Sequence, residues 1–259
     1  MYHELTKQDI KKFLKVSDSY RVDAVLVSGT NPRKKEHPYL YEALEKINVD
    51  YQEETIENEF FGEIKSFFIN GKRIWFDAVY GSAYLSEFLH VASLLGSKAN
   101  VLLGSCGALR EEIETGEIVI PSASFGNESA TRMYQRDNDL FFYAADVSLS
   151  EEFEKYLPKQ KKIHKGKLIA VQAMLAETKE DVTSWENEGY LCVDMESATV
   201  FSVSKHFNVP AAALLYVADN LIKNELTTDE NFSSFREKRK IAKKENYLAA
   251  LKLLLEIIK

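Results

Sequence analysis

Short apolar runs alternate along this chain with stretches in which apolar residues return every three or four positions. Apolar runs of four to eight residues are typical of buried strands, whereas the second spacing predicts helices with one face on a core. We expect strands over 22–27, 64–69, 73–79, 100–103, 117–121, 167–172 and 211–217. We expect helices over 5–16, 38–47, 82–95, 151–156, 179–188, 197–207 and 235–258. The alternation predicts an α/β fold whose mostly parallel or mixed sheet is covered by helices on both faces.

Local signals fix several ends of these elements. Asn70-Gly71 separates two of the predicted strands and favours a tight hairpin turn, so we expect those strands to pair. Thr6 is a candidate N-cap for the first helix, and Gly189 is a candidate terminator for the helix over 179–188.

Composition places the chain among globular proteins. It has 259 residues, of which 45% are hydrophobic, and this is enough for one large core. No repeat or low-complexity linker divides it. We therefore expect residues 1–259 to form a single domain.

Charge and cysteine content exclude several classes of function. The formal net charge of −7 argues against nucleic-acid binding, which requires a clustered basic face. No apolar stretch is long enough to cross a membrane, and the first residues lack the apolar core of a signal peptide. Two cysteines are too few for a disulfide framework, and no metal-ligand spacing is present. We expect a cytoplasmic protein that contacts neither nucleic acid nor membrane and holds no metal.

Glycines close two of the predicted strands, at Gly29 and at Gly104-Ser105-Cys106-Gly107. Backbone amides that follow a strand can form a concave anion site, and the Ser105 hydroxyl would add a donor. An ordinary turn explains the same glycines, and they match neither the P-loop nor the dinucleotide-binding pattern.

Two acids follow apolar runs near the end of the chain. Glu196, after Met195, could accept hydrogen bonds from neighbouring sugar hydroxyls, or it could be an acid that favours the start of the next helix. Asp219 lies in an apolar setting that should raise its pKa, which suits a proton donor. A structural role in capping the next turn is the alternative for Asp219.

Four separated motifs together resemble one known family. They are Gly104-Ser105-Cys106-Gly107-Ala108-Leu109, Gly116-Glu117-Ile118-Val119-Ile120-Pro121, Val193-Asp194-Met195-Glu196-Ser197-Ala198-Thr199 and Val217-Ala218-Asp219-Asn220. In this order they are similar to motifs of the purine nucleoside phosphorylase and uridine phosphorylase superfamily. The resemblance implies a twisted mixed β-sheet with a distorted barrel, flanked by helices. It also implies cleavage of a nucleoside N-glycosidic bond by a homo-oligomer, whether dimer, trimer or hexamer.

The resemblance assigns roles to individual residues. Asp219 would protonate the base, and Met195 and Glu196 would bind the ribose. The remaining assignments are phosphate binding by Gly29, Arg33, Ser105, Gly107 and Thr131, and base binding by Met174 and Cys106. Core packing is the alternative for Met174. The partners would be a small nucleoside and inorganic phosphate as co-substrate, with no cofactor.

Two departures from the family pattern concern phosphate. Leu102 stands where phosphorylases of the family usually carry an arginine, and 57–61 lacks the arginine that a neighbouring subunit normally donates. Phosphorolysis of a purine nucleoside is the main expectation. Hydrolysis, as in AMP nucleosidases, is the alternative reaction. A non-catalytic nucleoside-binding module is the alternative outside enzymes.

Overall fold

Ten strands form one mixed sheet in the computed structural model, which describes residues 1–30 and 35–259. The strands are β1 Ala24–Gly29, β2 Tyr51–Asn58, β3 Gly62–Ile69, β4 Lys72–Val79, β5 Asn100–Ala108, β6 Ile118–Phe125, β7 Phe142–Ala144, β8 Ile163–Ala170, β9 Cys192–Asp194 and β10 Ala211–Asn220.

Five of these strands close into a barrel. β10 pairs with both β5 and β6, β6 pairs with β8, β8 with β9, and β9 returns to β5. β5 belongs to both parts of the sheet, because residues 100–104 also pair with β1. From β1 the sheet continues as an open layer through β4 and β3 to β2.

Eight α-helices flank the sheet within the described ranges. They are α1 Lys7–Phe13, α2 His37–Ile47, α3 Ser82–Leu94, α4 Ser129–Tyr134, α5 Val147–Glu152, α6 Lys179–Asn187, α7 Ser197–His206 and α8 Arg236–Ile257. Short 3-10 helices occur at Tyr2–Glu4, Phe153–Lys155, Met174–Ala176 and Glu230–Phe235.

The sheet separates two apolar cores. One includes Phe88 of α3 and Phe201 of α7, and the other includes Leu44 of α2 and Tyr247 of α8. The α/β fold with a mixed sheet, a distorted barrel and flanking helices is therefore confirmed. That the whole chain forms a single domain stays a prediction.

Several local predictions hold. Thr6 caps α1 by accepting a hydrogen bond from the backbone N–H of Asp9. β3 and β4 pair antiparallel, and the turn between them places Asn70 at φ 52° and Gly71 at φ 78°, where glycine carries no steric penalty. Gly189 follows α6 at φ 90°.

The strand over 100–103 was predicted too short. β5 continues through Gly104–Gly107, because β10 pairs with it as far as Asn220. These glycines are thus inside a strand and do not form a loop of consecutive free amides. The sequence also gave no signal for β2, whose residues are mostly exposed, or for α4 within the polar segment 126–134.

Helix α8, the longest described, is too polar for a lipid bilayer, and no other described helix has both the length and the apolar character to span one.

Candidate active site

The carboxylate of Glu196 lies where the end of β1 meets the start of α3. Its Oε1 accepts a hydrogen bond from the backbone N–H of Gly81 at 2.7 Å. A Cβ atom on Gly29 would lie only 2.6 Å from Oε2, so a larger residue at this position would displace the carboxylate. Glu196 is 5% exposed. The structure therefore brings together Gly29 and Glu196, which 167 positions separate.

Asp194 fixes the turn that carries Glu196. Its Oδ2 accepts the backbone N–H of Ser197 at 2.8 Å, and its Oδ1 accepts the Ser197 hydroxyl at 2.7 Å. Asp194 thus satisfies a free donor at the start of α7, the task that sequence alone allowed for Glu196. Glu196 makes no such capping bond, and its carboxylate faces Gly29 and Gly81 instead.

Burial sets the charge state of both acids. It raises the pKa of Glu196 to about 8, and the neighbouring Asp194 raises it further. Burial also raises the pKa of Asp194 to about 6, although the hydrogen bonds from Ser197 oppose the shift. A ligand that donates hydrogen bonds to Glu196 would favour its charged form.

Gln172 joins Met195 to the start of α3. Its Nε2 donates to the carbonyl oxygen of Met195 at 2.7 Å, and its Oε1 accepts from the N–H of Ser82 at 2.9 Å. Met195 itself is half-buried. The sequence pointed to Met195 but not to Gln172 or Gly81, because no local pattern marks a contact across the fold.

Asp219 lies on β10 opposite Gly107 of β5. Its Oδ1 would be 3.1 Å from a Cβ on Gly107, and the residue is 9% exposed. Burial raises the pKa of Asp219 to about 7, while the charge of Arg239 and a hydrogen bond from the Thr227 backbone lower it. A carboxyl group with this pKa is able to donate a proton near neutral pH.

The capping role that was the alternative for Asp219 belongs to Asn220. The Asn220 Oδ1 accepts the backbone N–H of Lys223 at 3.0 Å, and its Nδ2 donates to the carbonyls of Arg110 and Ile113. Asn220 thereby holds the turn after β10 and leaves the Asp219 carboxyl free of that task.

Two further charged residues influence Asp219. Arg239 of α8 lies 3.5 Å above the centroid of the Phe232 ring and donates to the carbonyls of Ala218 and Phe232. Glu177 is half-buried, and burial together with the charge of Asp219 raises its pKa to about 7. Neither residue belongs to one of the sequence motifs, so sequence reasoning missed both.

The predicted phosphate-binding residues are only partly brought together. Gly29 pairs with Gly104 across β1 and β5, and Ser105 follows at once with Tyr216 opposite it. Gly107 is further along β5, beside Asp219. Arg33 lies outside the described residues.

Thr131 is apart from this group. It is fully buried on α4, and its hydroxyl lies 2.9 Å from that of Thr199 on α7. This contact joins two helices, so the arrangement offers no support for phosphate binding by Thr131.

The two predicted base-binding residues have opposite surroundings. Met174 is 40% exposed on its 3-10 helix, so the alternative of core packing does not describe it. Cys106 is buried in the core beside Cys192, and burial raises the pKa of its thiol. Its sulfur lies 3.7 Å from the Tyr216 carbonyl, which places it within the protein interior.

The structure describes both places at which the sequence lacks a family arginine, Leu102 and the segment 57–61. Leu102 is 1% exposed and packs in the apolar core that contains α3 and α7. Residues 57–61 cover the end of β2 and the turn into β3, where Phe61 is buried. Among residues 1–30 and 35–259, no group of three potential metal ligands is present.

Comparison with known families identifies the chain. The model of the phosphorylase superfamily matches residues 81–256, a span that contains Gly81, Glu196 and Asp219. The protein belongs to the phosphorylase superfamily. It is thus an enzyme of the superfamily that contains nucleoside phosphorylases and nucleosidases.

Curated relatives of this superfamily member are phosphorylases. The DeoD-type purine nucleoside phosphorylase of Actinobacillus succinogenes is 26% identical over 167 residues, covering 64% of this chain and 67% of the relative. The guanosine phosphorylase of Halorubrum lacusprofundi is 25% identical over 166 residues, with the same two coverages.

Solved structures of two kinds of enzyme share the fold. Uridine phosphorylase from Vibrio fischeri aligns with a TM-score of 0.73 and 19% identity, over 93% of this chain and 99% of that one. The 5′-methylthioadenosine/S-adenosylhomocysteine nucleosidase of Helicobacter pylori aligns with a TM-score of 0.68 and 16% identity. The alignment covers 92% of this chain and 100% of the nucleosidase chain.

Proposed function

We propose that this protein cleaves the N-glycosidic bond of a purine nucleoside by phosphorolysis, giving free base and ribose 1-phosphate. The arrangement of Glu196 against Gly29, with Asp219 on the neighbouring strand beside Gly107, carries the proposal. In this arrangement Glu196 is the hydroxyl acceptor, Gly29 marks an open strand end, and Asp219 is the proton donor. The names of the curated relatives, which include purine nucleoside and guanosine phosphorylases, support the choice of reaction and base.

Glu196 would hold the ribose. Two neighbouring hydroxyl groups of the sugar can donate to one carboxylate, and these bonds favour its charged form against the effect of burial. Met195 lies beside it and would pack against the apolar face of the sugar. An anionic carboxylate near the sugar also stabilises the positive charge that develops on ribose as the bond breaks.

Asp219 would protonate the base. As the bond between the sugar C1′ and the base nitrogen breaks, its electron pair moves onto the purine, and the Asp219 proton neutralises the resulting charge. Arg239 lowers the pKa of Asp219, so it would stabilise the carboxylate that this transfer leaves. In the same step a phosphate oxygen forms the new bond to C1′. The Ser105 hydroxyl and the backbone near Gly29 are the proposed phosphate contacts.

Hydrolysis is the second candidate, and Leu102 is the observation that favours it. A leucine buried in the core supplies no charge for a phosphate dianion. Loss of one charge-assisted hydrogen bond costs about 1.5–3 kcal/mol, so other groups must bind phosphate if phosphorolysis occurs.

Product analysis tests the proposal. Inosine, adenosine, guanosine, uridine, methylthioadenosine and AMP are each incubated with and without phosphate. Phosphate-dependent release of a purine with ribose 1-phosphate supports phosphorolysis. Free ribose or ribose 5-phosphate formed without phosphate identifies a nucleosidase. Binding of a nucleoside without release of base identifies a non-catalytic binding module.

A further inference from the structure

A small cavity lies beside the end of β1 and the middle of β5. It has a volume of about 10 Å³, and Gly29, Thr30 and Gly104 line it from the sheet. Lys243 and Asn246 of α8 line its other side. The cavity therefore joins α8 to the strand ends at which phosphate is proposed to bind.

Lys243 supplies the positive charge at this cavity. Its Nζ lies 2.6 Å from Oε1 of Glu36 and within 6 Å of the ring centroids of Tyr39 and Tyr216, at 5.1 and 5.7 Å. Although burial opposes the charge of Lys243, the neighbouring Tyr216 and Glu36 raise its pKa, so the ammonium stays charged. Among the described residues that line the cavity, Lys243 alone is cationic.

Tyr216 connects Lys243 to the proposed phosphate site. It pairs with Ser105 across β10 and β5, and the Nζ of Lys243 lies 5.7 Å from the centroid of its ring. Lys243 and Tyr216 also line the same cavity as Gly29, which belongs to the proposed phosphate site. Lys243 is therefore close enough for a direct charge effect on an anion held by Ser105.

Residues that line the cavity also carry hydrogen-bonding groups that are not paired. Asn246 is 2% exposed, and its Oδ1 is a buried acceptor without a hydrogen-bond partner in the described part of the chain. A volume of about 10 Å³ is close to the minimum for one water molecule. The Lys243 ammonium has three donors, and its bond to Glu36 uses one of them. The unpaired Asn246 acceptor and the spare Lys243 donors suit a site that rearranges when an anion arrives.

We propose that Lys243 is a cationic residue of the phosphate site and replaces the arginine that is absent at Leu102. The inference rests on the proposed phosphorolysis. Lysine binds phosphate as a compact point charge and does not need the planar geometry of arginine. Glu36 would oppose phosphate binding, because it pairs with Lys243 and carries the same sign of charge as the substrate.

The two charges predict opposite effects of substitution. Lys243→Met should raise the KM for phosphate at least tenfold and should change the KM for the nucleoside less than threefold. Glu36→Gln should lower the KM for phosphate, because it removes the competing carboxylate. A purely structural network would instead make both substitutions harmful in the same direction.

Two further variants complete the experiment. Lys244→Met is the matched control, because Lys244 is the next residue of α8 and pairs with the partly exposed Glu42. It should leave the KM for phosphate unchanged. The double variant Glu36→Gln/Lys243→Met avoids an unpaired buried carboxylate, so it tests the loss of Lys243 in a protein that folds. It should still show the raised KM for phosphate.

Wild-type product analysis is carried out first and separates the two proposals. Base release without phosphate by the wild type contradicts phosphorolysis, and the role of Lys243 in that reaction fails with it. Phosphate-dependent cleavage with the same KM for phosphate in the double variant as in Glu36→Gln contradicts only the assignment of Lys243. An equal rise in that KM for Glu36→Gln and Lys243→Met also contradicts it.

Discussion

Three buried acids dominate the site at the scale of single residues. Burial raises the pKa of Asp194 to about 6, of Asp219 to about 7 and of Glu196 to about 8. Hydrogen bonds assign Asp194 to the helix start, whereas Glu196 and Asp219 make few bonds of their own. Desolvated acids with raised pKa values in one region are typical of functional sites.

Replacement of Asp219 by asparagine should lower kcat/KM for a purine nucleoside by about a hundredfold. The wild-type kcat/KM should fall as pH rises through about 7, because the protonated form of Asp219 is lost there. The variant should lack this decline, since asparagine does not titrate. A pH profile of both proteins provides the measurement, and unchanged turnover would remove Asp219 from the mechanism.

Replacement of Glu196 by glutamine should separate ribosides from 2′-deoxyribosides. The variant should lose more activity on the riboside, because only that substrate offers both hydroxyls to the carboxylate. Parallel measurements of kcat/KM on inosine and 2′-deoxyinosine test this. Equal losses on the two substrates would argue against the hydroxyl-binding role.

The same Glu196→Gln change should stabilise the unliganded protein at high pH. The folded-state pKa of Glu196 is raised from 4.5 to about 8, so its contribution to stability is full below pH 4.5 and is lost as pH rises to about 8. Other acids are common to both proteins and cancel in the comparison. The variant should melt at least ~3 °C higher relative to wild type at pH 9 than at pH 5. A pH-independent difference in Tm would contradict the burial effect.

Sequence reasoning found the acids but not their neighbours. Glu196 and Asp219 were predictable because each follows an apolar run in a recognisable motif. Gly81 contacts Glu196 across 115 positions, and the Gln172 bond to Ser82 spans 90. Such contacts depend on the register of the folded sheet, which no local spacing encodes.

At the scale of elements, two glycines control how α7 and its preceding turn approach the sheet. A Cβ on Gly126, after β6, would lie 2.4 Å from the Cβ of Ala198 on α7. A Cβ on Gly29 would meet the far end of the Glu196 side chain, which can rotate away. The two positions therefore permit a matched pair of alanine substitutions.

Gly126→Ala should lower the free energy of unfolding by about 1–3 kcal/mol, because it overpacks two stiff elements. Gly29→Ala should have a smaller effect on stability but reduce kcat/KM at least tenfold by displacing the Glu196 carboxylate. Denaturant unfolding and kinetics on both variants test this division. Greater loss of stability in Gly29→Ala than in Gly126→Ala would refute it.

Elements with a local signal were predicted well, and those defined by their partners were not. The β3–β4 hairpin follows from Asn70-Gly71 alone. β5 was predicted to end at Gly104, since glycine usually interrupts a strand. Pairing with β10 extends it, and the absent side chains at Gly104 and Gly107 admit Leu215 and Asp219.

At the scale of the whole molecule, the homo-oligomer stays a prediction, and exposed apolar side chains are candidate contacts for it. Phe60, 59% exposed, contacts Phe13 with 6.3 Å between ring centroids. Light scattering should give a native mass that is a multiple of 29.6 kDa. Phe60→Ser should lower this mass, whereas Val147→Ser, at another exposed apolar position, should not. A monomeric wild type would contradict the expectation.

The closed barrel also limits where the sheet can recruit another strand. Within the described chain its terminal strands are β2, which pairs only with β3, and the three-residue β7, which pairs only with β6. The exposed strand β2 carries Glu53, Glu54 and Glu57. Carboxylates on an edge strand repel a second copy of the same edge and thereby oppose amyloid-like stacking. Although Glu53 and Glu54 also pair with Lys65 and Arg73, we expect the charged side chains of β2 to oppose aggregation at the longer of the two open edges.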